Sequence, residues 1–110
     1  MTLDDLAAYG ANVQEGLGRC MNMEAFYLQL VETIKAEPNF DALAAAIDAG
    51  DLDAAFSASH ALKGVLSNLS LTPLQKPMEE LCELLRAHTD MDYAPLMAEI
   101  TQQLERFRAL

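Results

Sequence analysis

His60, Lys63, Gly64 and Ser67 stand at i, i+3, i+4 and i+7, the offsets that bring side chains to one face of a helix. A neutral imidazole has a nucleophilic nitrogen at neutral pH and can attack phosphorus without a general base. The product carries about two negative charges, and a mid-helix position lies far from any helix N-terminus that could bind them. A neighbouring ammonium must then hold them, and Lys63 supplies one. Gly64 costs about 1 kcal/mol relative to Ala inside a helix. Close approach of another protein's backbone accounts for that cost, and so does a packing contact within this one. The rival reading of His60 is an idle surface residue.

Other chemistries find less support. A di-metal carboxylate site in a bundle needs Glu-x-x-His pairs, but Ser57 and Leu85 stand three residues before His60 and His88. No His-x-x-x-His occurs, so neither a metal nor another cofactor is expected. Gly16-Leu17-Gly18 has no strand before it and reads as a helix break, not a phosphate loop. Nothing could cradle ATP and Mg²⁺, and Ser-His-Asp hydrolysis lacks a nucleophile elbow. His88 is expected to be exposed near a helix C-terminus, with no assigned role.

The elements that must position His60 are helical. Of 110 residues, 52% are apolar and only 6% aromatic, with no Trp. Ala, Leu and Met abound, and these are good helix formers. Thr2 caps a short opening helix that Gly10 ends, and Asn12 with Glu15 resembles a capping box for a turn through Leu17. Met23, Phe26, Tyr27, Leu30, Val31 and Ile34 form a helical stripe. Pro38 must break or kink that helix near Glu37, and its continuation stops at Gly50. Asp51 caps the His60 helix, which runs to about Leu69. On a wheel of that helix His60 lies roughly 130° from the apolar centre, which disfavours a core histidine. Leu74, Met78, Leu81, Cys82 and Leu85 mark the next helix. Pro77 suits its first turn, so residues 71–76 read as a separate turn. Asp92 caps a last helix with Pro95 in its first turn. The expectation is an all-α protein: an antiparallel four-helix up-down bundle with short N-terminal helical turns.

The net charge of −10 argues against nucleic acid, which needs clustered Lys and Arg, and against an anionic membrane surface. The bland reading is a solvated acidic surface. Cys20 and Cys82 lack Cys-x-x-Cys spacing and read as small buried thiols. The first residues show no secretion signal, and no stretch approaches the ~20 apolar residues of a membrane span. One domain over residues 1–110, in a reducing cytoplasm, is expected.

The run Ser59-His60-Ala61-Leu62-Lys63-Gly64-Val65-Leu66-Ser67-Asn68-Leu69 resembles the signature of histidine phosphotransfer (HPt) domains. Their pattern is H-x-L-K-G, then small residues, then Asn-Leu-Gly. Gly16-Leu17-x-Arg19 followed by Glu24 and Tyr27 is similar to the lead-in of many bacterial members. Ala49-Gly50-Asp51-Leu52 and Leu71-Thr72-Pro73-Leu74 resemble the turns on either side of the histidine helix. Two positions depart from the pattern: Ser70 replaces the usual Gly, and Leu66 is bulkier than the small residue common there.

The resemblance implies a phosphocarrier without its own kinase or nucleotide site. His60 would accept phosphate on Nε2, Lys63 would steady it, and Gly64 would leave room for the partner. Asn68 and Leu69 would keep the family's helix packing. Phe56, Ser57 and Ser67 are candidates for the partner-binding rim. The implied partners are a response-regulator receiver domain, a hybrid sensor histidine kinase, or both, with the chain itself monomeric. The nearest variant is direct phosphorylation by a histidine kinase. The alternative from another class is a non-phosphorylated helical adaptor that binds a receiver or kinase.

Overall fold

Helix ends follow the local signals closely. The computed structural model describes residues 1–110 and contains seven helices and no strand. They are α1 (Leu3–Tyr9), α2 (Val13–Arg19), α3 (Glu24–Ile34), α4 (Asn39–Ala49), α5 (Leu52–Asn68), α6 (Thr72–Arg86) and α7 (Ala94–Arg108). Thr2 forms a full capping box with Asp5. Asp51 accepts the Ala54 N–H at 3.1 Å and so starts α5. Gly10 and Gly50 end α1 and α4 in the left-handed conformation. Asn12 accepts the Glu15 N–H, but Glu15 returns to the Asn12 side chain and not to its backbone.

Two expectations are sharpened and three need correction. The N-terminal turns are two helices of seven residues each. The Pro38 break is complete and separates α3 from α4, because a proline N-cap keeps its own φ but cannot donate. Residues 71–76 are not a separate turn: α6 starts at Thr72, with Pro73 in its first turn and Pro77 inside it. Pro77 removes one hydrogen bond there, but its ring is buried. Gly16-Leu17-Gly18 does not break its helix; it lies within α2, where a Cβ on Gly16 would come within 2.6 Å of the Tyr27 ring. Gly16 is thus a packing glycine. Finally, Met23 and Phe26 belong to the α3 stripe by spacing but lie 55% and 45% exposed.

The histidine helix sits at the centre of the packing. α5 lies against both α4 and α6, and α6 against α7. Its apolar face supplies Ala55, Leu62 and Leu66, all fully buried, to a continuous core that takes in Tyr27, Met78 and Phe107. The N-terminal segment then closes over the end of α5. Arg19 Nη1 donates to the Ser67 carbonyl at 2.6 Å and to Ser70 Oγ at 2.8 Å. The Tyr27 hydroxyl donates to the Leu69 carbonyl at 2.9 Å, and the Asn12 N–H to the Ser70 carbonyl at 3.0 Å. These bonds tie the turn after α5 to the N-terminal helices and α3; the Ser67 carbonyl also accepts the Ser70 N–H at 3.1 Å.

Ser70 has φ 55°, in the left-handed region. That explains why a glycine would suit the position. Its hydroxyl donates to Glu15 Oε1 at 3.0 Å as it accepts from Arg19. These contacts with α2 offset the strain of a residue with a Cβ.

Candidate functional site

His60 lies in the middle of the seventeen-residue α5 and is exposed. Its backbone is held by the apolar residues on the opposite face, so the imidazole stands on a rigid element. One turn before it, Phe56 places its ring 5.7 Å from the imidazole centroid, tilted by 32°. Phe56 is half-buried against the core edge. Between them Ser59 is buried and donates its hydroxyl to the Phe56 carbonyl at 2.9 Å. Ser59 therefore belongs to the helix packing and not to the exposed face.

One turn after His60 stand Lys63 and Gly64. Lys63 is half-buried, and none of the ion pairs in the molecule involves it. Its ammonium is therefore uncommitted, on the turn where an anion on His60 would need a cation. Gly64 is exposed, and a Cβ built on it meets no heavy atom within 4 Å. A packing contact within the protein is thus not the reason for this glycine. Gly64 also borders a shallow groove of about 320 Å³ between α3 and α5, together with Leu30, Ile34 and Val65. Ser57 is exposed and Ser67 half-buried.

His60 itself lines neither that groove nor the larger cleft of about 830 Å³, which lies between α4, α7 and the loop at residues 88–93. The surface around the imidazole is open and partly apolar. A bare imidazole there can act as a nucleophile or a carrier. It has no enclosing walls with which to bind a small substrate.

The comparisons with known proteins agree with this geometry. The family model described as Hpt domain matches residues 28–110. The chain belongs to the Hpt domain family. Hpt domains are phosphocarriers, not kinases, and work by histidine phosphotransfer in two-component signalling. The match begins in α3 and runs through α7, so α1 and α2 lie before it. Comparison with curated proteins and with solved structures found no match.

Two features of this Hpt chain were not apparent from the sequence. The Arg86 guanidinium, from α6, lies over the Phe56 ring at 5.0 Å from its centroid. No spacing rule links residue 86 to residue 56, because the contact crosses between helices. His88 is exposed, as expected, but it takes a positive φ of 51° and approaches Asp53 to 3.9 Å. No helix is long and apolar enough to cross a membrane.

Proposed function

We propose that this chain, as one domain over residues 1–110, is a phosphorelay intermediate that carries a phosphoryl group on His60. Its helices would form the antiparallel four-helix up-down bundle of the family, with α3 and α4 together as one arm. The observation that carries the reading is the surface of α5: an exposed imidazole at mid-helix, with an uncommitted ammonium and an open glycine one turn on.

The lone pair of His60 Nε2 attacks the phosphorus of an aspartyl phosphate on a receiver domain. The N–P bond forms as the bond from phosphorus to the aspartate oxygen breaks, and the aspartate leaves as a carboxylate. The reverse step loads the next receiver. The receiver supplies Mg²⁺ and its own acidic cluster, and this chain supplies the nucleophile. Lys63 balances the charge of the transferred group, while Gly64 lets the partner's backbone approach. Phe56, Ser57 and Ser67 form the rim that excludes water. The setting is a cytoplasmic two-component pathway, and the chain acts as a monomer.

Incubation with a panel of phosphorylated receiver domains tests this. Label should appear on this protein, stable in base and lost in acid. His60→Gln should abolish it with the fold intact, since an exposed helical position tolerates such a change. His88→Gln should keep it in full. Lys63→Ala should weaken the labelling or shorten its lifetime. If no competent receiver labels His60, a non-phosphorylated adaptor becomes the better reading.

A further inference from the structure

The cleft of about 830 Å³ has no part in the chemistry of His60, which does not line it. Its position follows from the order of the helices. α5 packs against α4 and α6, and α7 against α6, so α4 and α7 are left facing each other across an open seam. Leu52, at the start of α5, and the loop after α6 close one end of that seam. The floor is apolar: Ile47 of α4, Leu52 and Met97 of α7 line it and are only half-buried. Met91, on the loop, is 42% exposed at the edge. Methionine is flexible and polarizable, and suits surfaces that adapt to an incoming apolar side chain.

The banks of the cleft are acidic. Asp48 stands on the α4 side, and Asp90 and Asp92 on the loop side. No Lys or Arg lines it, and His88 at its rim approaches the Asp53 carboxylate. Asp92 accepts the Ala94 N–H at 2.9 Å. Asp48 and Asp90 are exposed and take part in no ion pair. α5 and α7 begin at this end of the bundle, while α4 and α6 finish there, so the helix dipoles oppose one another. The side chains then set the sign of the local field, and that sign is negative.

We infer that this cleft docks a basic amphipathic helix of a partner protein. Its apolar face lies on Ile47, Leu52, Met91 and Met97, and its Lys or Arg side chains reach Asp48 and Asp90. A groove between two helices accepts a third by its apolar face. The cations of such a helix meet carboxylates that have no partner within this chain. A small organic cation satisfies the charge but leaves the apolar floor wet, and an acidic segment is repelled by the banks. The surface is separate from that of His60, so the inference stands apart from the carrier reading. A partner anchored here leaves the imidazole open.

The probe is a synthetic Leu/Lys peptide of about 18 residues, roughly five helical turns, patterned as an amphipathic helix. It is titrated into the full ¹⁵N-labelled chain, and amide shifts and Kd are read together. Shifts should concentrate at residues 44–52 and 88–101. Asp48→Asn/Asp90→Asn should weaken binding roughly fivefold at low salt. Glu24→Gln/Glu80→Gln removes two exposed charges elsewhere and should weaken it less than about twofold. Met91→Ser should cost roughly two- to fivefold. A scrambled peptide of the same composition should bind more weakly. Circular dichroism checks that each variant is folded.

Shifts centred elsewhere would overturn the inference, as would equal losses in the two double variants. So would unchanged binding by Met91→Ser or by the scrambled peptide. Shifts at the same residues that grow with protein concentration, without peptide, would assign the cleft to a second copy of this chain. Tighter binding of spermine than of the peptide would assign it to a small cation. Either result also overturns the docked helix.

Discussion

Gly64→Ala separates what the fold wants at this position from what the function wants. The added methyl meets no heavy atom within 4 Å, and the position is exposed within α5. No packing cost offsets the gain in helix propensity, which is about 0.8–1 kcal/mol for Gly to Ala and arises largely from the unfolded chain. The variant should therefore be more stable by about that amount, with a melting temperature higher by on the order of 4 °C. Phosphotransfer should move the other way. A methyl on the approach surface holds a partner's backbone away from His60, and a misplacement of about 1 Å costs on the order of a hundredfold in rate. Ala should slow transfer from a phosphorylated receiver at least several-fold, and Gly64→Gln should slow it further. Labelling by phosphoramidate should stay near the wild-type rate in Gly64→Ala, since a small donor needs no docked backbone. Urea unfolding followed by circular dichroism measures the first effect, and rapid-quench transfer kinetics the second. A destabilised Gly64→Ala would mean the space beside residue 64 is not open. Unchanged transfer in both variants would refute close approach there.

At Ser70, left-handed strain of roughly 1–2 kcal/mol opposes two hydrogen bonds to α2 worth about 1 kcal/mol each. Ser70→Gly should thus come out near neutral in urea unfolding, whereas Ser70→Ala keeps the strain, loses both bonds and should be clearly less stable; equal stabilities for the two would contradict this account. Burial raises the phenol pKa of both Tyr9, against the opposing pull of Arg106, and Tyr27. The unfolded chain releases these protons near pH 10 and the folded one only above it, so their contribution is complete below about pH 10 and declines as pH rises further. Helical circular dichroism should fall together with the rise of phenolate absorbance above pH 10; phenolate formation at full helicity, with Tyr9 and Tyr27 ionising as in free peptides, would count against it.

Much of this protein is legible from its sequence, and the legible parts are local. Thr2, Asp51, Gly10 and Gly50 act within three or four residues of themselves, so their capping roles need no knowledge of the fold. The outward placement of His60 follows from helix geometry and the apolar pattern of α5, and so does its company of Lys63 and Gly64. The HPt resemblance rests on that same short run. What spacing could not decide is whatever depends on a neighbour from elsewhere in the chain. Met23 and Phe26 follow the α3 stripe yet stay exposed, whereas Tyr27 beside them is buried against Gly16 of α2. Gly16 is kept small by Tyr27, and Pro77 is tolerated because its ring is buried in the core. The two explanations for Gly64 are equivalent in sequence, and only the empty space around it excludes packing. Ser70 looks like a lapse from the family pattern until Glu15 and Arg19 are seen to hold its hydroxyl. Arg86 has no mark at all in the sequence: its approach to Phe56 exists only because α6 packs on α5. Helix ends and faces are set by energies that act along the chain, whereas contacts such as Arg86 on Phe56, Gly16 on Tyr27 and Ser70 on Glu15 and Arg19 are made across it, and only the tertiary structure brings those groups together.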